Sequence, residues 1–493
     1  MLASFMGSRP PSLAGRAILA LLLMVGFYLL ALGIALLLLS LPYAEITYAN
    51  RLDRLGLFGI IGGLLILWGI VPRPDAFEPP GPLLAREGQR RLFGVIEDIA
   101  VGTQQAMPTE VYLVADVNAF VTTRGGFMGF GSRRVMGLGL PLLQTLGVRE
   151  LRAVLAHEFG HYHGGDTKLG PWIYKTRAAI GRTLQGLAGY SAMLQKPFVW
   201  YGNMFLRISH AISRRQELTA DQLAAQLYGA APLTNALAKI RRAAMAFPAY
   251  WSTEVSPVLG SGFRPPVAAG FSRFLAADRI AAAVDEQARR PEEADPYDTH
   301  PPLHERVAAL SGLPPGAAVD EQRAIELLED VDALEQQLLA PILSERPLPV
   351  IGWDDVGRDV YVPNWRSVNE RHASLLADVT LGALLERTPE LVRRLVESLP
   401  AEELEPRTPE QQVGYGRWAL GAALAGALAG RGWRVRALPG EPIVLEGEGG
   451  ALDPFQVVDD LALGKIDQVT WRARCAALGL ADMALGGQRT RTS

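Results

Sequence analysis

Residues Ala17 to Leu41 read AILALLLMVGFYLLALGIALLLLSL, without a charged residue in the run. In hydrocarbon the backbone has to satisfy its own hydrogen bonds, so such a segment is confined to a helix. At the usual rise that helix is roughly 37 Å long, enough to cross a bilayer with some tilt. It is too long for the apolar part of a cleaved signal peptide, and a second uncharged run follows at once. That run, Leu55–Val71, reaches about 26 Å and carries Trp68 as an interfacial anchor. It reads as a second span, with a buried or re-entrant helix as the alternative. Arg9 and Arg16 precede the first run. Arg73, Arg86, Arg90 and Arg91 follow the second, against Arg51 and Arg54 in the connecting loop. The positive-inside rule then puts both flanks in the cytoplasm, and makes the chain an integral protein of the inner membrane if the cell is bacterial.

At 493 residues the chain has room for two or three domains. Its 48 basic and 51 acidic residues nearly balance, and nothing in that balance marks a nucleic-acid partner. Cys475 is the only cysteine, so an internal disulfide and a thiolate zinc site are both excluded. A single cysteine is compatible with a reducing compartment. Histidine is scarce, seven in all, and three of the seven fall within His157–His163.

His157-Glu158-Phe159-Gly160-His161 closes a helix-compatible run, Leu151–His161. Two histidines four apart differ by about 40° around a helix axis, so both imidazoles point to one side. That spacing holds one Zn2+ through two nitrogens, and lets the glutamate between them take a proton from a metal-bound water. His163 is about 200° from His161 around the same axis and is not a ligand.

The remaining chain reads as follows. Pro72–Pro82 (PRPDAFEPPGP) is a linker that closes a membrane region, residues 1–82, with spans at 17–41 and 55–71. Residues 83–344 form the catalytic domain and residues 345–493 an accessory region to which no motif assigns a role. Glu110–Ala115 and Val135–Leu140 read as strands, with the glycine-rich turn Gly125–Gly131 as a flexible hairpin. A substrate strand is expected to pair along an exposed edge, Val135–Leu140. Trp172–Ile212 is apolar but broken by Lys175, Arg177, Arg182, Lys196 and Arg207. It reads as helices that pack on the domain or lie on the membrane surface, with one or two more spans left open. In the accessory region, Ile351–Trp365 predicts a hairpin, Glu370–Leu399 one or two helices broken near Thr388-Pro389, and the Ala/Gly-rich Tyr415–Gly430 a closely packed helix.

A catalytic zinc needs a third protein ligand and one open position. Ser213–Ala224 (SRRQELTADQLA) is the candidate source. Glu217 and Asp221 are four apart and share a helix face, so Glu217 suits a ligand and Asp221 a support for a ligand histidine. From the residues alone, an ordinary solvated Arg/Glu face is the better explanation of this helix. Three segments decide between the two. His157–Asp166 (HEFGHYHGGD), Ser213–Ala224 and Thr299–Val307 (THPPLHERV) resemble, in order and behind membrane spans, the motifs of the HtpX-like / CAAX prenyl endopeptidase family of membrane zinc metallopeptidases. Asn118-Ala119-Phe120 and the Val135–Leu143 stretch resemble the family's strand region, and the likeness extends over roughly Met1 to Leu313.

The resemblance implies one Zn2+ per chain, bound by His157, His161 and Glu217. It implies that Glu158 is general base and then acid, that His300 sits near the oxyanion, and that Arg306 orients that region. Asp166 and Asp221 are implied supports. The implied fold is α+β and mostly helical, with N-terminal transmembrane helices and a zincin-like (gluzincin) catalytic domain holding a small sheet, followed by an α/β accessory region. The implied activity is membrane-bound, zinc-dependent endopeptidase action on polypeptides, membrane proteins among them, in quality control or processing. The lipid bilayer is the other expected partner. A non-catalytic membrane sensor or scaffold with a structural zinc is the rival reading. This chain departs from the family in the charged interval between Asp166 and Glu217, and after about Glu345.

Overall fold

The computed structural model describes residues 13–73, 77–124, 133–162, 170–290, 301–316, 322–343, 348–404 and 406–486. They are mostly helical, with two small sheets. The chain divides into two compact units, Met1–Ala243 with Arg290–Leu338, and Ala244–Arg289 with Leu339–Ser493. The boundary read from sequence at residue 345 differs from this division. Ala244–Arg289 joins the C-terminal residues because its rings pack with theirs: Tyr250 lies 6.2 Å from Trp353, whose indole N–H donates to the Pro266 carbonyl at 3.0 Å.

In the first unit, α1 (Leu13–Ala49) and α2 (Arg54–Ile70) form a helical hairpin. Among the described residues α1 is the one helix long and apolar enough to cross a membrane by length and composition; α2 is apolar but shorter. The Glu45 carboxylate closes the turn by accepting the Asp53 N–H at 2.9 Å. Gly56, Gly59 and Gly63 form the face of α2 that meets α1. A Cβ at Gly59 would sit 2.3 Å from the Leu38 carbonyl oxygen, so only glycine permits this approach.

The chain continues through α3 (Arg90–Gly102), β1 (Glu110–Val114), β2 (Ala119–Arg124), β3 (Arg133–Gly139), α4 (Leu140–Thr145), α5 (Val148–Gly160), α6 (Gly170–Leu187), α7 (Ala192–Tyr228) and α8 (Ala230–Tyr250). Sequence Trp172–Ile212 therefore becomes α6 and the first half of α7. These pack on the α1–α2 hairpin around Phe27, Ala35, Ile66, Ile180, Phe198 and Phe205, completing a four-helix bundle. The charges that interrupt the segment have local partners. Arg182 Nε donates to the Gly69 carbonyl at 3.1 Å, satisfying an acceptor near the C-terminal end of α2, and Arg177 donates to Ser209 Oγ at 2.8 Å.

The sheet of this unit has the order β1-β3-β2, with β1 parallel and β2 antiparallel to β3. This corrects the expected substrate edge. Val135–Leu140 supplies the central strand, and pairing on both sides leaves it no free row of backbone donors and acceptors. The outer side of β1 is partly covered by the bridge from Leu83 to Tyr112, so β2 carries the open edge among the described residues.

In the second unit a central helix, Pro409–Gly430, is buried along Ala419–Ala425. Gly416 meets Val392, Gly421 meets Phe455 and Gly426 meets Asn369, which explains why this helix is rich in small residues. Its N-terminus carries a capping box, Thr408 with Gln411. The sheet of this unit is an antiparallel meander, β4 (Arg434–Arg436), β5 (Val444–Gly447) and β6 (Gly450–Leu452). The accessory region is thus helices packed around that central helix with a small antiparallel sheet, and not the α/β arrangement expected. Ile351–Trp365 is not a hairpin: it forms the helix Trp353–Val356, the π-helical turn Gly357–Tyr361 and the start of the helix Val362–Arg371. From Trp353 on, its buried residues Trp353, Val356, Gly357 and Val360 recur at helical spacing and do not alternate. Pro389 lies inside the helix Leu384–Glu397, where Thr388 Oγ1 donates to the Leu384 carbonyl, and the chain breaks earlier, between Leu376 and Leu381.

Candidate metal centre

The N-terminus of α5 is fixed by Glu150, whose carboxylate accepts the Gly147 N–H and contacts Lys239 Nζ, each at 2.8 Å. Leu151, Leu155 and Phe159 bury one side of the helix completely. His157 and His161 lie on another, their ring centroids 4.8 Å apart and nearly perpendicular. The ligand atoms of His157, Glu158 and His161 all fall within 4.8 Å of one another.

α7 packs directly on α5. A Cβ built on Gly160 would stand 3.1 Å from Ala220, so the glycine inside the histidine motif sets how closely the helices approach. That approach brings Glu217 to both rings. Its Oε2 is 3.4 Å from His157 Nε2, and its Oε1 is 3.4 Å from His161 Nε2. Asp221, one turn further along and fully buried, lies 2.8 Å from His157 Nδ1. The carboxylate holds the Nδ1 proton, which leaves Nε2 as a lone pair directed at Glu217.

This donor set fits a divalent cation. A lone pair and a carboxylate are both acceptors, and they face each other only if a positive charge lies between them. With no metal bound, a proton takes that place. Burial opposes charge on His157, but Asp221, Glu217 and Glu158 outweigh it and raise the pKa to about 9. Two imidazole nitrogens with one carboxylate match the chemistry of a catalytic zinc site.

Arg306 sits behind this layer, on the helix Leu303–Leu310 that begins after Pro302. Its Nε donates to Asp221 Oδ2 at 2.8 Å and one terminal nitrogen to Oδ1 at 2.6 Å. The same nitrogen is 3.5 Å from His157 Nδ1 and 3.8 Å from Glu217 Oε2. Expected to orient the oxyanion region, Arg306 instead braces the carboxylate that braces His157, because its fork matches Asp221 bidentately. Burial raises the Asp221 pKa, yet hydrogen bonds from Arg306 and His157 hold it below the usual carboxylate range.

The structure thus brings together His157, Glu158, His161, Glu217, Asp221 and Arg306. Asp166, His163 and His300 lie outside the described residues, as does the turn Gly125–Gly131. His304 is exposed. Two contributors escaped the sequence reading. Gly160 governs the helix approach, and its place within the motif was the available signal. Tyr162 donates to the Val121 carbonyl on β2 at 3.0 Å while Arg134 stacks over its ring at 4.3 Å, tying the end of α5 to the open strand. No local pattern announces that contact.

Residues 86–313 match the model of peptidase family M48. The chain is similar to the protease HtpX homologue of Methylibium petroleiphilum, 26% identical over 244 residues that make up 46% of this chain and 75% of the relative. It is 27% identical over 262 residues to the homologue of Desulfatibacillum aliphaticivorans, covering 48% and 74%. To that of Tropheryma whipplei it is 26% identical over 256 residues, covering 47% and 75%. No solved structure matches significantly. The HtpX-like family recognised from the three motifs is the one these comparisons return.

Two outcomes follow. Arg306→Ala leaves the buried Asp221 carboxylate without its counter-charge and should cost on the order of 3–5 kcal/mol, read as a lowered thermal midpoint. Metal binding displaces the proton shared by His157 and Glu217. Calorimetry in buffers of different ionisation enthalpy should therefore register proton release, and affinity should rise from neutral pH toward about 9. A pH-independent affinity would contradict the assigned ligands.

Proposed function

We propose that this HtpX-like M48 metallopeptidase is a membrane-anchored zinc endopeptidase that cleaves polypeptides, membrane proteins among them, at the cytoplasmic face. The observation that carries the reading is the convergence of His157, His161 and Glu217, backed by Asp221 and Arg306, with Glu158 beside them. Zinc held by these three ligands supplies a Lewis acid that polarises a carbonyl and makes water acidic near neutral pH.

The chain's own residues do the rest. Glu158 accepts the proton of the attacking water and passes it to the leaving amine. Asp221 holds His157 in the tautomer that presents Nε2, and Arg306 keeps Asp221 ionised. His300, carried over from the family motif, is assigned to the developing oxyanion. An extended substrate pairs along β2, the open edge linked to α5 through Tyr162.

Membrane attachment rests on the bundle. Leu22, Leu29, Leu36, Leu64, Trp68 and Trp200 point apolar surface outward, which suits contact with lipid. Arg73 stacks on Trp68 at 5.1 Å and Arg182 reaches the same end of α2, so basic groups gather at the end assigned to the cytoplasm. The four helices are read together as the membrane region, with α6 and the first half of α7 as its second hairpin.

Detergent-solubilised protein should cleave casein in a chelator-sensitive reaction. Glu158→Gln should keep fold and zinc and lose about 10²- to 10⁴-fold in rate, whereas Glu217→Ala should lower zinc stoichiometry by elemental analysis. Full zinc content with no cleavage by the unsubstituted protein would favour a structural metal and a sensor or scaffold role. Substantial activity in Glu158→Gln would remove the assigned base.

A further inference from the structure

The second unit holds a half-open cleft of about 310 Å³ that owes nothing to the metal centre. Two π-helical turns contribute to it. Trp251–Val255, continuing α8, supplies Glu254, and Gly357–Tyr361 supplies Tyr361. Such turns are rare and recur at functional sites. Asp453 and Phe455, at the start of the helix Pro454–Ala462, also line it.

Part of this arrangement is structural. Glu254 Oε1 accepts the Gly440 N–H at 3.2 Å, and Arg279 Nε donates to the Gly440 carbonyl at 2.6 Å, so the two clamp a residue with φ of +79°. Asp453 Oδ1 caps its helix by accepting the N–H groups of Phe455 and Gln456. Glu441 pairs with Arg436 and Asp459 with Arg417. These roles leave Glu254 Oε2, Asp453 Oδ2 and the Tyr361 hydroxyl without a hydrogen-bond partner among the described residues, all on side chains that line the cleft. The rings of Tyr361 and Phe455 are fixed by Trp365, whose centroid lies 5.8 Å from one and 6.0 Å from the other.

We propose that this cleft is a binding site for an organic cation, an alkylammonium or guanidinium group seated between Glu254, Asp453 and the faces of Tyr361 and Phe455. Glu441 and Asp459 are already paired with arginines outside the lining, so Glu254 and Asp453 face Arg279 alone, a net negative charge that disfavours an anion. A bare metal ion would lack ligands on the Phe455, Pro442 and Ile443 side, whereas an organic cation gains both charge and ring contacts there. The volume suits a small ligand or a single side chain. The cation has two sources, a free amine or guanidine and a Lys or Arg side chain on a polypeptide.

The test is titration calorimetry on the full chain in detergent with agmatine, a blocked Gly-Arg-Gly peptide and glutarate. Saturable binding of either cation and none of glutarate is the expected result. Agmatine alone would identify a free solute and the peptide alone a polypeptide side chain. Glu254→Gln, which keeps an acceptor for Gly440, should weaken binding at least tenfold. Tyr361→Phe, which keeps the ring and removes the hydroxyl, should weaken it less, and decides the matter if Glu254→Gln does not fold. Absence of cation binding, equal binding of glutarate, or unchanged affinity in folded variants would overturn the assignment.

Discussion

The Glu217 carboxylate stands between two imidazole nitrogens, one oxygen 3.4 Å from each, and is itself buried between α5 and α7. His157 Nε2 and the carboxylate are both acceptors, and facing one another at that distance when buried they require a cation, either a proton or a metal. Everything around them serves that requirement. Asp221 removes the choice of tautomer at His157, Arg306 neutralises Asp221, and Gly160 permits the helix spacing. The cost of burying Asp221 and Arg306 is offset by a bidentate pair of charge-assisted hydrogen bonds.

One continuous helix connects this centre to the apolar bundle. The first half of α7 contributes Phe198 and Phe205 to the bundle core, and its second half carries Glu217 and Asp221. A helix cannot shift one end without moving the other, so the packing of the bundle bears on the position of the third ligand. Burial at the far end, where Tyr201 donates to the Leu23 carbonyl at 2.7 Å and Tyr190 to that of Phe58 at 2.6 Å, anchors the assembly in register.

The second unit follows a different logic. Its centre is a helix of small residues around which others crowd, and its distinctive chemistry arises where π-helical turns displace side chains from the regular spacing. Glu254 and Tyr361 belong to no motif, are more than a hundred positions apart, and meet only after folding.

The apolar runs 17–41 and 55–71, the pairing of His157 with His161, and strands at Glu110–Ala115 and Val135–Leu140 are legible locally, because each follows from periodicity or composition within a short window. The family motifs also named Glu217 and Asp221. Long-range contacts are what make Val135–Gly139 the central strand and β2 the open edge among the described residues, place Arg306 on Asp221, pack α6 and α7 on the first hairpin, and group Ala244–Arg289 with the C-terminal residues. Strand neighbours, ion-pair partners and helix faces are set by contacts distant in sequence, and no local pattern encodes which of several compatible partners a side chain will meet.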